Sequence, residues 1–159
     1  MQQLKFIFKK EKQEIIKKLD YYGISEVPYL LVELGKEKIR GYSGSLSIEE
    51  LNKLNKEIGI EIIGLYLFHN YPSDIRISFD AVHTLKPQIT KNILEINDEQ
   101  TKEFLEGKDI ILSNQDKEKL KNETRGFKII KYKEDIIGTG KLTQEGRIVN
   151  YMPKERRLR

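Results

Sequence analysis

Residues 126–159 read GFKIIKYKEDIIGTGKLTQEGRIVNYMPKERRLR and decide the fold. Apolar and basic residues interleave along three short segments separated by two tight turns, a pattern typical of β-strands. Side chains alternate between the two faces of a strand, so one face should pack on a core and the other should carry cations. Pro153 lacks a backbone N–H and fixes its own φ, so it should end the last strand and direct residues 154–159 away from it. The stretch therefore predicts a small β-unit with an anion-binding face.

The positive charge of the chain is concentrated in the same stretch. Residues 125–159 hold ten Lys or Arg and four Asp or Glu, a net charge of +6, whereas residues 1–124 hold 19 and 21, a net charge of −2. The net charge of +4 for the whole chain thus comes from its C-terminal quarter. A phosphate-binding surface concentrates cations in this way, because each phosphate contact releases condensed counterions. The alternative is a frayed basic tail that only aids solubility.

The composition is that of a globular protein. The chain has 159 residues, of which 38% are hydrophobic and 34% are charged, and this suits one domain or two small ones. It has no cysteine, which excludes disulfides and thiol catalysis. No window approaches the roughly 18 apolar residues of a membrane span, and the N-terminus lacks the apolar run of a signal peptide. We expect a soluble, cytoplasmic monomer with no membrane partner.

The first half alternates helical and strand patterns. A helix is predicted over Lys9–Tyr22, and a capping box at Ser47–Glu50 begins a second helix that should stop at Gly59. The predicted strands are 29–32, 39–42, 60–68 and 75–79. The run 60–68 is the most apolar in the chain and is interpreted as the central strand, with Gly64 marking a bulge or a close approach. A short helical turn over 80–85 completes an α/β unit.

The segment Lys86-Pro87-Gln88 is short, polar and centred on proline, and it marks the expected domain boundary. Residues 1–87 and 88–159 should form two domains with a small contact between them; a single fused core is the alternative. In the second domain, strand 92–96, a helix from Asn97 to Gly107 and strand 109–113 precede the three final strands. Residues 114–124 suit either a helix or a loop.

The fold class predicted from these elements is α+β. One short helix cannot cover both faces of five strands, so the second domain is expected to be a small barrel and not a βαβ sheet.

The sequence contains no complete catalytic motif. The run Gly138-Thr139-Gly140-Lys141 resembles the end of a phosphate-binding loop, but that motif needs glycine at 135 and Ser or Thr at 142, where Asp and Leu stand. There is no methyltransferase glycine loop and no proline-cysteine nucleophile. His69 and His83 lack partners at metal-ligand spacing. We therefore predict no catalytic residue, no metal and no cofactor.

Two features of the second half are similar to those of a known family. The first is a strand, a helix that ends at Glu106-Gly107-Lys108 and a second strand, in that order. The second is the hairpin from Gly126-Phe127 to Lys141. They resemble a PUA domain, an RNA-binding pseudo-barrel of tRNA- and rRNA-modifying enzymes. The whole layout, an α/β domain ending near Pro87 followed directly by the barrel, resembles the Nip-seven family of large-subunit ribosome-biogenesis factors. The tail Asn150–Arg157 resembles the PUA-type extension of archaeal Nop2/Sun cytosine-C5 RNA methyltransferases.

The resemblances to the Nip-seven family and to the Nop2/Sun enzymes both imply structured RNA, either rRNA or tRNA, as a partner. The Nip-seven resemblance implies a pre-PUA-like domain, a PUA-like pseudo-barrel and a non-catalytic role in rRNA processing and large-subunit biogenesis. The alternative is an RNA-binding subunit or detached targeting module of an rRNA or tRNA cytosine-C5 methyltransferase. Either role also implies a protein partner in ribosome assembly or RNA modification.

The basic C-terminal part of the barrel is the RNA-binding surface that the resemblance implies. The predicted contacts are Lys141, Arg147, Lys154, Arg156, Arg157 and Arg159. Arg125 and Lys128, near the start of the first of the three strands, are further candidates. Arg outnumbers Lys in the tail, which suits bidentate phosphate contacts and stacking on bases.

Three aromatic residues lie at or beyond the end of the apolar run 60–68. Tyr66 and Phe68 are assigned to the core, because aromatic residues of an apolar strand are usually packed. Tyr71 lies in a polar loop and is a candidate for stacking on an unpaired base. Its replacement should weaken RNA binding without changing stability.

Overall fold

The computed structural model describes residues 2–159, which contain two five-stranded sheets. The first sheet has its strands in chain order, and every neighbouring pair is antiparallel. Its strands are β1 (Lys5–Ile7), β2 (Leu30–Glu33), β3 (Lys38–Tyr42), β4 (Leu65–Asn70) and β5 (Ile75–Ile77). Its helices are α1 (Lys9–Leu19), α2 (Ile48–Ile58) and α3 (Phe79–Thr84). The predicted alternation of helices and strands in this half is present.

Local capping chemistry sets the ends of these helices. The Ser47 hydroxyl accepts a hydrogen bond from the Glu50 N–H at 3.2 Å, and the Glu50 carboxylate accepts one from the Ser47 N–H at 2.7 Å. This is the predicted capping box, and α2 ends at Gly59 as expected. The first helix passes through a short 3-10 turn and stops at Gly23, whose φ of +88° favours glycine.

The two long helices cover opposite faces of the first sheet. Leu31 and Val32 are consecutive in β2, so their side chains point to opposite faces. Leu31 belongs to the apolar cluster that contains Leu19 of α1. Val32 belongs to a separate cluster that contains Leu51 of α2. The sheet is therefore packed between helices on both sides.

The expectation of a central strand over 60–68 is wrong. The strand β4 begins only at Leu65, and Ile62, in the loop before it, is 73% exposed. The carbonyls of Ile63 and Gly64 accept hydrogen bonds from the Arg40 guanidinium at 2.7 and 2.9 Å. In this loop a side chain therefore supplies the hydrogen bonds that a neighbouring strand would otherwise donate. Gly64 has φ +58°, and a Cβ there would lie 2.1 Å from the Gly41 oxygen, which confirms the predicted close approach. The central strand is β3.

The second sheet has the order β6-β8-β9-β10-β7, with β6 and β8 parallel and the other pairs antiparallel. Its strands are β6 (Ile93–Glu95), β7 (Ile110–Ile111), β8 (Gly126–Tyr132), β9 (Asp135–Leu142) and β10 (Arg147–Asn150). Its helices are α4 (Asp98–Leu105) and α5 (Asn114–Lys119), so the ambiguous segment 114–124 begins as a helix. Leu94 and Ile110, from the two edge strands, share one apolar cluster. The sheet therefore curls around its own core as a pseudo-barrel, and the α+β class is confirmed.

The two sheets also share a core. Phe127, Ile129 and Ile136 of the second sheet belong to the same apolar cluster as Leu19 and Phe68 of the first half. Thr139 is 3% exposed, and its hydroxyl donates to the Ile77 carbonyl at 3.0 Å across the junction. The contact between the two halves is larger than the expected small one, because helix α3 packs directly on β9 and the apolar cluster crosses the junction.

The segment proposed as the domain boundary is held against the first half. Residues 86–88 form a 3-10 turn. The Gln88 side-chain oxygen accepts from the N–H groups of Ser25 and Glu26, both at 3.0 Å, and its amide nitrogen donates to the Glu26 carbonyl at 2.9 Å. The Tyr22 carbonyl accepts from the N–H of Thr90 at 3.0 Å. The division into 1–87 and 88–159 stays a prediction.

Candidate nucleic-acid interface

The outer face of the second sheet carries a row of three side chains from three strands. Phe127 of β8, Lys141 of β9 and Val149 of β10 are cross-strand neighbours. The Lys141 ammonium lies 5.0 Å from the centroid of the Phe127 ring. Arg147 and Tyr151 lie two residues before and after Val149, so they have the same parity and lie on the same face. Aromatic and basic side chains therefore share this face, whereas the alternation in the sequence predicted one apolar face and a separate cationic face.

An aromatic cluster extends this face into the first half of the chain. The ring of Tyr71 stacks on His69 at a centroid distance of 4.3 Å and on Phe127 at 5.6 Å. Phe127 meets Tyr151 edge to face at 5.6 Å. The Arg76 guanidinium lies 4.4 Å from the centroid of Tyr151. We name the surface formed by these five residues, together with Lys141 and Arg147, the aromatic-basic face.

The strands β4 and β5 position the part of this face that comes from the first sheet. His69 and Arg76 are cross-strand neighbours, so their side chains leave the sheet together. His69 also contacts the Glu37 carboxylate at 3.0 Å. Tyr71 follows the end of β4, and its N–H donates to the Asp74 carbonyl at 3.0 Å, which closes the β4–β5 turn.

Burial keeps the Tyr151 phenol of the aromatic-basic face neutral. Burial raises the pKa of the Tyr151 phenol above its ordinary value, the nearby Tyr71 adds to the rise, and Arg76 opposes it. Burial likewise raises the pKa of Tyr66 in β4, which lies outside this face, and Arg76 again opposes the rise. A neutral phenol can donate a hydrogen bond to a phosphate or a base. The Nε of Arg76 is buried and has no hydrogen-bond partner within residues 2–159.

The basic C-terminal tail is docked and not frayed. The Leu158 N–H donates to the Leu105 carbonyl at 2.8 Å, at the end of α4. The Nε of Arg157 donates to the Met152 carbonyl at 3.2 Å, and the side chain packs over Gly107, which has φ +84° and no Cβ. Arg157 is therefore a residue that holds the tail, and only part of its guanidinium is exposed.

The exposed cations of the tail are Lys154, Arg156 and Arg159. Arg156 pairs with Asp80 at 3.6 Å, and its guanidinium lies 5.4 Å from the Phe79 ring. The tail thus contacts helix α3 of the first half as well as helix α4 of the second. We name these three cations and Arg157 the basic tail.

The turn between α4 and β7 connects the two basic surfaces. Arg157 of the basic tail packs on Gly107, and Arg147 of the aromatic-basic face pairs with Asp109 at 3.6 Å. The Asp109 carboxylate also accepts from the Asn150 N–H at 2.9 Å. The predicted Arg147 is therefore a close neighbour of the predicted tail, separated from it by one short turn.

The two further cationic candidates lie elsewhere. Lys128 is fully buried, and its ammonium donates to Asn92 at 2.7 Å and Thr124 at 3.1 Å and lies 3.4 Å from the Glu123 carboxylate. The prediction that Lys128 contacts RNA is not retained, because its charge is used inside the protein. Arg125 is partly exposed and donates to the Leu120 carbonyl at 3.1 Å.

Arg125 lines a cleft of 390 Å³ where α1, the β4–β5 turn and the start of β8 meet. Lys17 and Lys18 of α1 line the same cleft, and Asp74 is the acidic residue of its lining. Phe127 belongs both to the cleft and to the aromatic-basic face. Sequence reasoning missed the cleft residues of α1 and also Arg76 and His69, because only the fold brings these distant positions together.

Residues 2–159 hold neither a candidate metal cluster nor a candidate membrane span. No group of three or more His, Cys, Asp or Glu side chains that could hold a metal ion is found there. No helix in that range is long and apolar enough to cross a membrane.

A comparison with protein families identifies the second half. Residues 91–158 match the family described as the Methyltransferase RsmF PUA domain. This part of the chain is therefore a PUA-domain module of the kind linked to Nop2/Sun-type methyltransferases, and the predicted PUA resemblance is confirmed. The match indicates RNA binding, and it covers an RNA-binding module and not a catalytic domain. None of the curated proteins matches the chain.

Proposed function

We propose that the chain is a non-catalytic RNA-binding protein that holds structured ribosomal RNA during rRNA processing and large-subunit biogenesis. The observation that carries this proposal is the coincidence of the PUA module with the excess positive charge. Residues 91–158 match an RNA methyltransferase PUA domain, and residues 125–159 have a net charge of +6. A cationic surface on an RNA-binding fold supplies the phosphate contacts that dominate affinity.

RNA is held through two kinds of contact in this proposal. Lys141, Arg147 and the exposed cations of the basic tail bind phosphates, which fixes the position of the RNA without reading its sequence. The aromatic-basic face adds phenol donors and the edges of aromatic rings, which suit the unpaired bases of loops and bulges. Structured RNA with exposed loops is therefore the ligand class.

A second role is favoured by the family match itself. The matched family takes its description from an RNA methyltransferase, so the chain is also a candidate for the RNA-binding subunit or detached targeting module of a cytosine-C5 methyltransferase. In that role the chain would hold rRNA or tRNA while a separate catalytic protein modifies it. The first role rests on the PUA module and its charge and, for its ribosomal part, on the resemblance of the two-part layout to the Nip-seven family.

Both roles include a protein partner, and the first half offers a surface for one. Ile58 and Ile62 are 71% and 73% exposed, and both lie at the end of α2 and in the loop after it. Exposed large apolar side chains close together are typical of protein interaction sites. We propose that this region contacts the partner and that the chain acts as a monomer in the cytoplasm.

Crosslinking of the full chain to total RNA tests the proposed function. Ultraviolet crosslinking followed by sequencing should recover discrete rRNA segments rather than a uniform sample of RNA. Enrichment of tRNA, or of rRNA segments around a methylated cytosine, would instead support the methyltransferase-associated role. Absence of any enriched RNA would contradict both roles.

A further inference from the structure

We propose that the cleft between α1, the β4–β5 turn and the start of β8 holds a single unpaired nucleotide of the bound RNA. This inference rests on the proposed RNA-binding function. It assigns a binding site that the matched PUA domain forms together with the first half of the chain. Seven of the ten residues that line the cleft belong to the first half of the chain, and they come from α1, the 3-10 turn after it, the β4–β5 turn and the start of β5.

The size of the cleft suits one nucleotide. Its volume is 390 Å³. Small-ligand pockets in proteins span about 300–1,000 Å³, so this cleft accepts a small ligand but not a helix. An unpaired nucleotide that is turned out of a loop or a strand end has the required dimensions and exposes its base to the protein.

Three cations around the cleft are available to bind a phosphate. No hydrogen bond or ion pair of the Lys17 ammonium is found within residues 2–159. The Lys18 ammonium donates to the Asn70 side chain at 2.7 Å and to the Tyr71 carbonyl at 2.6 Å, which leaves one of its three donors. Arg125 uses one terminal nitrogen on backbone carbonyls and keeps its other donors. None of the three has a carboxylate partner in the described part of the chain.

The wall of the cleft is suited to a base. The hydroxyl of Tyr21 donates to the Phe127 carbonyl at 2.9 Å, and its ring meets Tyr22 edge to face at 4.9 Å, so the ring is held in one orientation. A fixed aromatic ring stacks on a base with little loss of conformational freedom. The space beside Gly126 is open, because a Cβ at this position would have the Tyr21 hydroxyl as its nearest neighbour, at 3.7 Å.

The acidic residue of the cleft indicates that the ligand is more than an anion. Asp74 is exposed and has no ion-pair partner within residues 2–159. A carboxylate would weaken a pure phosphate site, but it accepts hydrogen bonds from the amino and imino groups of a base. A ligand with a phosphate can bind the cations of the cleft, and the N–H groups of its base can donate hydrogen bonds to the Asp74 carboxylate. A nucleotide is such a ligand.

The cleft is continuous with the aromatic-basic face. Phe127 lines the cleft and stacks on Tyr71, and the carbonyl of Tyr71 accepts from Lys18 of the cleft. An RNA strand that contacts Lys141 beside Phe127 therefore has the cleft as its next binding position. The apolar cluster shared by both halves fixes the relative position of the two surfaces.

Titration of the full chain with mononucleotides tests the cleft. We expect AMP, CMP, GMP or UMP to shift the amide NMR signals of Asp74, Gly126 and neighbouring residues, and ribose 5-phosphate to give smaller shifts. The variant Lys17→Gln should weaken binding of the same nucleotide about fivefold. Lys10→Gln, an exposed lysine of the same helix that does not line the cleft, is the matched control and should leave binding unchanged.

A pair of RNA probes separates failure of this inference from failure of the proposed function. One probe is a hairpin with an unpaired 3′ extension, and the other is the same hairpin with a blunt end. The inference predicts tighter binding of the extended hairpin by the natural chain and loss of that advantage in Lys17→Gln. If the natural chain binds both probes equally and mononucleotides leave the cleft signals unchanged, the cleft inference is overturned while RNA binding stands. If neither probe binds, the proposed function fails, and the cleft inference fails with it.

Discussion

Tyr71 of the first half and Phe127 of the second sheet stack with their ring centroids 5.6 Å apart and their planes inclined by 19°. The stack joins the two halves where the aromatic-basic face meets the shared core, since Phe127 is buried and Tyr71 is half-buried. Tyr71 therefore contributes to the junction of the halves as well as to the candidate interface. Replacement of Tyr71 should therefore affect the stability of the protein as well as RNA binding.

Replacement of Tyr71 by alanine is expected to lower the free energy of unfolding by about 1–3 kcal/mol, because it removes two ring stacks and part of the shared core. The sequence predicted no effect on stability, and the stacking on His69 and Phe127 is the reason for the revision. Urea denaturation measures the change. Tyr71→Phe keeps the ring and should retain nearly all of the stability. Equal unfolding midpoints for Tyr71→Ala and the natural chain would show that the stack contributes nothing.

The fragment 88–159 is expected to be much less stable than the same residues in the full chain. Phe127, Ile129 and Ile136 lack their apolar partners from the first half in this fragment, and Thr139 lacks the Ile77 carbonyl. Circular dichroism during thermal unfolding measures the difference. A fragment that unfolds at the same temperature as the full chain would instead support two autonomous domains joined at residues 86–88.

Alkaline pH should destabilise the protein through Tyr22. Burial raises the pKa of this phenol well above its ordinary value, and its hydroxyl donates to the Ile75 carbonyl at 2.6 Å. Below the unfolded-state pKa of about 10 both states keep the proton, so the stabilisation is fully present there. Above it the unfolded chain loses the proton first, and stability should fall by about 1.4 kcal/mol per pH unit from this group.

The variant Tyr22→Phe isolates that contribution. Its stability between about pH 10 and pH 11 should fall less steeply than that of the natural chain, although its stability at neutral pH is lower because the Ile75 carbonyl is left without its donor. Denaturant titrations at several pH values give both slopes. Tyr132→Phe, which removes an exposed hydroxyl bonded to Asp98, is the control. Identical slopes for Tyr22→Phe and the natural chain would count against the assignment.

Within the basic tail, the structure separates the exposed cations Lys154 and Arg156 from Arg157, which holds the tail. Replacement of Lys154 and Arg156 by glutamine should reduce the slope of log affinity against log salt by about 0.7–0.9 for each phosphate that the variant no longer binds. Arg157→Gln should instead lower stability, because it removes the hydrogen bond to the Met152 carbonyl and the packing on Gly107. Salt titrations of RNA binding and thermal unfolding distinguish the two effects. A decrease of salt dependence confined to Arg157→Gln would reverse this division.

Local chemistry made much of the fold predictable from the sequence. The capping box at Ser47 and Glu50 was identified from residue spacing alone, because both partners lie within one helical turn. The three final strands were likewise visible in the alternation of apolar and basic residues. The end of the helix at Gly107 followed from a residue that adopts positive φ without strain.

The errors came from interactions between distant residues. The apolar run 60–68 suggests a buried strand, but the Arg40 side chain binds the carbonyls of Ile63 and Gly64, and Ile62 beside them is exposed. Lys128 has the sequence context of a surface cation. Its ammonium is nevertheless buried and donates a hydrogen bond to Asn92, 36 positions earlier in the chain. Arg76 gave no sequence signal at all, because its partner Tyr151 follows the last strand of the other sheet.

The central claim is that RNA binds the aromatic-basic face through Lys141 and Arg147. Salt-dependent binding of a structured rRNA hairpin to the double variant Lys141→Gln and Arg147→Gln tests it most directly, with Lys9→Gln and Lys10→Gln on α1 as a control of equal charge. We expect the first variant to bind more weakly and its salt slope to fall by about one to two, since each contacted phosphate contributes about 0.7–0.9. The control should behave as the natural chain. Unchanged affinity and slope in the first variant, with weaker binding in the control, would contradict the claim.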